Sequence, residues 1–207
     1  SRLLVGSTEF RGPERVAFLN AGGANVMVDV PRGFSSGFVA QVNVGYGMPN
    51  AEPEAFTLLS RRFATSVPAT YAVDVTTDTL PPVFDLTVDK TGGARPSIAF
   101  RMGGDPAIAD GMLAQLGWQD GNDVHEWTVI APPTATSPIA WPELPERFGD
   151  FRPSAQTMYQ REQLILFEAD FVRDWDHFRQ DYGPNVFDAA PPQGDVTFAL
   201  SIGGAIN

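Results

Sequence analysis

The chain has 207 residues, 43% hydrophobic and 19% charged, with a formal net charge of −11 and no cysteine. That length holds one large core or two modest ones, and the composition describes a folded protein, not a disordered one. The acidic surplus argues against binding a nucleic-acid backbone or an anionic membrane surface, and the lack of thiols excludes disulfides, thiolate zinc sites, iron–sulfur clusters and cysteine nucleophiles.

The 20 glycines and 18 prolines suit many short strands joined by turns. No apolar run approaches the roughly 20 residues of a membrane-spanning helix, so membrane insertion is not expected. Of the 14 basic residues only Lys90 is a lysine. The chain opens abruptly at SRLLVG, as a processed or trimmed piece of something longer would.

In the first half, Arg15–Asn20 and Asn25–Val30 are β-rich runs separated by Ala21-Gly22-Gly23, a hairpin-like signal. Phe38–Val44 alternates, with Phe38, Ala40, Val42 and Val44 facing one way. Glu54–Phe63 reads as a strand or a short helix, and Ala69–Val75 alternates again. These runs predict a first domain over residues 1–80, an antiparallel sandwich or barrel. Gly33-Phe34-Ser35-Ser36-Gly37 matches the G-x-S-x-G nucleophile elbow of hydrolases. That chemistry needs a strand before the serine and a helix after it. Here Pro31 interrupts the approach and a strand pattern follows, so a hairpin loop is the better reading and a hydrolase the least supported function.

Thr79-Leu80-Pro81-Pro82 marks the expected domain boundary, because paired prolines stiffen a linker and cannot join a central ladder. Strand patterns follow at Val83–Val88, Ser97–Met102, Met112–Trp118, Val124–Ile130, Ser137–Trp141, Gln163–Ala169 and Asp195–Ile202. Between the last two lies the chain's one helix signal, Phe171–Tyr182. Its residues Phe171, Val172, Trp175, Phe178 and Tyr182 recur at helical spacing, Asp170 stands at the N-cap position, and Gly183-Pro184 is a stop. The pattern predicts an aromatic face that caps one end or edge of a sandwich, anchored by Trp175.

Seven strands entered through Leu80-Pro81-Pro82, with Phe100 in the second and Trp141-Pro142-Glu143-Leu144-Pro145 after the fifth, resemble a fibronectin type III or related immunoglobulin-like sandwich over residues 82–207. The connection from Pro142 to Gln163 is longer than that family's pattern, and no tyrosine marks the sixth strand. Segments such as Trp127–Pro133 also resemble stretches of bacterial surface proteins. The expected fold is therefore all-β: two antiparallel sandwich domains, 1–80 and 81–207, the second carrying a helix at 171–182.

Two groups of residues carry oxygen or nitrogen ligands. Asp174, His177 and Asp181 are three and four residues apart and share a helical surface, which would suit a divalent cation or acid–base work. The ordinary explanation is a solvated face with local pairs such as Asp176–Arg179 and His177–Asp181, because Arg173 and Arg179 oppose a cation. Asp120, Asn122 and Asp123 could offer oxygens to calcium, yet a β-turn calls for the same residues and no bidentate glutamate follows at EF-hand spacing. Trp118, Trp127, Trp141 and Trp175 are the candidates for stacking on a surface glycan. The functional expectation is a non-catalytic structural, adhesive or assembly module of a bacterial envelope, extracellular or periplasmic. It would have no required cofactor, would bind protein partners or itself, and would offer Asp174, Asp176, His177, Arg179 and Asp181 as a contact surface. The alternative is a carbohydrate- or calcium-binding sandwich.

Overall fold

A computed structural model describes residues 2–11, 16–20, 37–46, 55–63, 70, 72–74, 76–92, 95–120, 123–154, 156–186 and 195–203. In chain order the strands are β1 (Arg2–Arg11), β2 (Val16–Asn20), β3 (Gly37–Tyr46), β4 (Ala55–Phe63), β5 (Val83–Asp89), β6 (Ser97–Met102), β7 (Gly111–Asp120), β8 (Asp123–Ala131), β9 (Ile139–Ala140), β10 (Tyr159–Ala169) and β11 (Val196–Gly203). They form two antiparallel sheets. Six strands in the order β3-β4-β11-β10-β7-β8, extended by β1 and β2 beyond β3, make the larger; β5-β6-β9 make the smaller. Neither sheet closes into a barrel.

The expected boundary at Thr79–Pro82 is not a boundary of the sheets. Strand β4 from one side of it pairs with β11 from the other, from Ala55 opposite Gly203 to Arg62 opposite Val196. Residue patterns fix which face of a strand is apolar but not which distant strand lies beside it, so this pairing has no local signal. Strand β1 also had none, since Gly6-Ser7 interrupts its alternation; the register with β3 slips between Val5 and Ser7. Glu54–Phe63 resolves as the strand β4, and the run at Ser137–Trp141 shrinks to Ile139–Ala140. Residues 72–74 form no strand. The run Asn25–Val30 and Ser35 lie outside the described residues.

One core lies between the sheets. Val83, Ile98, Ile139 and Trp141 from the smaller sheet and its flank meet Met112, Ala114, Leu116, Leu164, Leu166 and Ala199 from the larger, all buried. Thr57 and Ser201 stand opposite each other across β4 and β11, both fully buried, and neither hydroxyl has a hydrogen-bond partner among the described residues.

The outer face of the larger sheet is also apolar, and the segment before β11 covers it. Leu113, Ile165, Phe167 and Ala169 pack there with Val172, Phe178 and Val186. This segment therefore lies over a sheet face, not at an end or edge. Nor is it one helix over Phe171–Tyr182. Asp170 is held at β11, its amide donating to the Thr197 carbonyl at 3.1 Å and its carboxylate accepting from the Thr197 amide at 2.9 Å. The N-cap is instead Asp174, which accepts from the His177 amide at 2.8 Å and opens a single α-turn, α1 (Trp175–His177). A π-turn over Phe178–Tyr182 follows, closed by the Gly183 amide on the Phe178 carbonyl; Gly183 adopts φ 51°, the left-handed region that glycine enters without strain. The apolar spacing that suggests a continuous helix comes from side chains pressed onto one sheet face.

Phe178, not Trp175, anchors the segment. Its ring is fully buried, 5.8 Å from Phe167 and 5.8 Å from the half-buried Trp175. It lies directly on Gly111, where a Cβ would come within 2.5 Å of the ring. Phe178→Ala should therefore cost about 3–5 kcal/mol in denaturant unfolding and Trp175→Ala only about 1–2 kcal/mol. Replacing Thr57 by Val together with Ser201 by Ala should leave the unfolding midpoint unchanged or raise stability by up to about 1–2 kcal/mol, because two unsatisfied hydroxyls leave the core.

Candidate functional site

Two places gather the polar groups that the sequence singles out. The first is the root of the outer-face segment. Asp110, just before β7, accepts from the Ala169 amide at 2.8 Å, and its own amide donates to the Phe167 carbonyl at 2.8 Å. With Asp170 on Thr197 and Asp174 on His177, aspartates at three points receive backbone amides where the segment leaves and rejoins the sheet. His177 is engaged at both ring nitrogens: Nδ1 accepts from the Arg173 amide at 3.1 Å, and Nε2 lies 3.2 Å from the Asp181 carboxylate. A nitrogen that accepts carries no proton, so the proton sits on Nε2 and points at Asp181. Asp176 pairs with Arg179 at 3.2 Å on the exposed side. Asp174, His177 and Asp181 do come together, and their bonds close the turn of the segment itself.

Sequence reasoning missed Asp110 and Glu168 here. Burial, opposed by the Ala169 amide and augmented by the charge of Asp174, pushes the Asp110 carboxyl up to about 6. Burial and the neighbouring Asp110 and Asp170 push Glu168 up to about 7. The only advance signal was Glu168 inside an apolar run, LILFEA.

The second place is the β7–β8 hairpin. Pairing sets Asp120 opposite Asp123 and Trp118 opposite His125, and the two-residue period puts all four on the inner face. Asn122 lies outside the described residues. His125 stacks on Trp118 with ring centres 5.2 Å apart and an interplanar angle of 21°. Phe151 stands edge-on to His125 at 5.9 Å and 82°. It belongs to a 3-10 segment (Glu146–Phe151) in the long connection before β10. Asp120, Asp123, Val124, His125 and Phe151 line an open groove of about 540 Å³. Among the described residues no three histidine, aspartate or glutamate side chains converge as metal ligands. Of the four tryptophans proposed for glycan stacking, Trp118 on the inward face of β7 and Trp141 just after β9 are buried at 4% and 1% exposure and cannot offer a ring to a sugar. No helix among the described residues is long and apolar enough to cross a membrane.

No family model, curated protein or solved structure matches the chain, so the site is read from its own geometry.

The raised carboxyls fix a pH dependence. Asp110 and Glu168 hold their protons more tightly when folded than when unfolded, so the stability they contribute is full below about pH 4 and is lost as pH rises through 6 and 7. Glu168→Gln should match the wild type near pH 4 and exceed it at pH 8, by about 1–2 kcal/mol after allowance for solvent screening. Melting curves of both proteins across this range check the sign; a variant less stable at pH 8 would contradict it.

Proposed function

We propose that this chain is a non-catalytic structural or adhesive module of a bacterial envelope or surface, acting through protein–protein interfaces, and that residues 82–207 form a fibronectin type III-like sandwich within it. The strand partition supports the second part. Of the seven strands after Pro82, β5, β6 and β9 lie in one sheet and β7, β8, β10 and β11 in the other, with the helical turn between the last two.

The observation that carries the interface reading is strand β8. It is an edge of the larger sheet, nine residues long, and pairs with β7 without a register shift from Ala131 to Asp123. Edge strands are commonly blunted by bulges, lysines or prolines. Edge strand β5 shows such a device: its register with β6 breaks between Phe84 and Thr87, and Asp85 there adopts φ 53°. Edge strand β9 has only two residues. Strand β8 is regular, has neither lysine nor proline, and exposes Val124 at 76%. Against its His125 stands Phe151, exposed at 52%. A long regular edge flanked by exposed apolar side chains suits strand addition by a partner or a second copy.

Light scattering and binding to cell-envelope fractions test the reading. Association or envelope binding should be seen with the wild type and should fall in Val124→Lys, at an unchanged melting temperature. A particle that stays monomeric at every concentration and binds no surface material would overturn it.

A further inference from the structure

We infer that the groove at the β7–β8 hairpin is a recognition pocket for an arginine side chain carried by an extended segment of a partner protein. The inference rests on the interface reading above and names the partner's chemistry.

The first ground is a pair of exposed carboxylates that no described side chain or amide engages. The structure engages the other aspartates whose side chains it describes. Asp74, Asp89 and Asp105 accept from backbone amides, Asp85 holds Arg101, and Asp176 holds Arg179. Asp120 and Asp123 form no hydrogen bond or ion pair among the described residues, although they sit side by side on one face of the same groove. No basic side chain lines the groove among the described residues: Arg152, next to Phe151, donates to the Leu144 carbonyl, and Arg161 pairs with Glu126 at 2.8 Å. Two adjacent carboxylates match the fork of a guanidinium, on a chain whose net charge of −11 favours a cationic partner.

The second ground is the wall. His125 is held flat by Trp118, and the half-exposed Phe151 ring flanks it. A guanidinium is planar and weakly hydrated, so it lies readily against such rings. The chain already builds this contact once within itself. Arg101 donates to Asp85 at 2.7 Å while its guanidinium carbon lies 4.9 Å from the centre of the Phe84 ring. The hairpin groove presents the same two partners, aspartate and aromatic ring, without the arginine.

The third ground is position. Asp123, Val124 and His125 of the groove belong to strand β8, the open edge. A segment added along β8 directs alternate side chains to the inner face, where the groove lies. Backbone pairing would then supply affinity and the groove would select the residue.

The test uses the full chain and a short extended peptide with arginine at alternate positions, titrated at physiological salt, beside a twin in which citrulline replaces arginine. Citrulline keeps the shape and removes the charge. Saturable binding is expected for the arginine peptide, about tenfold weaker for the citrulline twin, for Asp120→Asn with Asp123→Asn, and for Phe151→Ala. A control pair, Glu143→Gln with Glu146→Gln, removes the same charge elsewhere and should bind like the wild type; melting temperatures confirm that each variant is folded. Equal losses in the two double variants would reduce the effect to bulk charge and overturn the inference. So would equal binding of the citrulline twin, or occupation of the groove by calcium or a neutral oligosaccharide instead, read from the His125 ring resonances. If envelope binding or association persists but ignores Asp120 and Asp123, the groove inference fails alone; if no association exists and Val124→Lys changes nothing, the interface reading fails with it.

Discussion

The fold depends on covering both faces of the paired strands β7 and β10. Consecutive residues on them alternate between two cores: Met112, Ala114, Leu116, Leu164 and Leu166 face the smaller sheet, while Leu113, Ile165 and Phe167 face away from it. A strand apolar on both sides cannot leave either to water, and each such side chain contributes roughly 1.5–3 kcal/mol when buried. The smaller sheet covers one face. The turn-rich segment between β10 and β11 covers the other, with Phe178 seated in the space that Gly111 leaves by lacking a side chain. Removing that segment would expose a second core.

This constraint was partly legible. The runs GMLA and LILF are continuous in apolar character, the signature of a strand covered on both faces. Reading only their alternating inner positions hides the outer set, and the segment before β11 then seems free to cap an end. Its position between the last two strands was legible from Phe171–Tyr182. Its internal structure was not, because the spacing of Val172, Trp175 and Phe178 is satisfied equally by a helix and by a short α-turn and π-turn laid on a sheet. The choice between Asp170 and Asp174 as N-cap depended on Thr197, which only the fold brings near. The pairing of β4 with β11 escaped for the same reason.

The two polar sites differ in what their charges do. At the root of the outer-face segment, Asp110, Asp170 and Asp174 receive backbone amides that would otherwise be unpaired at strand ends and at the start of α1. The dense charge over 170–181 was visible in the sequence, but not that Asp170 binds a backbone amide of β11 and Asp174 one of the segment's own turn. Such a segment has few backbone bonds of its own, and His177, engaged at both nitrogens, completes its turn.

The hairpin was legible as a turn, because Asp, Gly and Asn are what a β7–β8 connection requires. What the sequence could not reveal is that its aspartates are left over. A turn needs the backbone tolerance of aspartate, not its charge, and strand pairing fixes both carboxylates on the face that already holds Trp118 and His125. The long connection before β10, a departure from the expected sandwich pattern, then brings Phe151 against that face. Each part has a local structural reason. Their meeting beside an unblunted edge strand is the juxtaposition on which the proposed arginine pocket rests, because nothing within the described chain neutralises the two carboxylates or completes the edge.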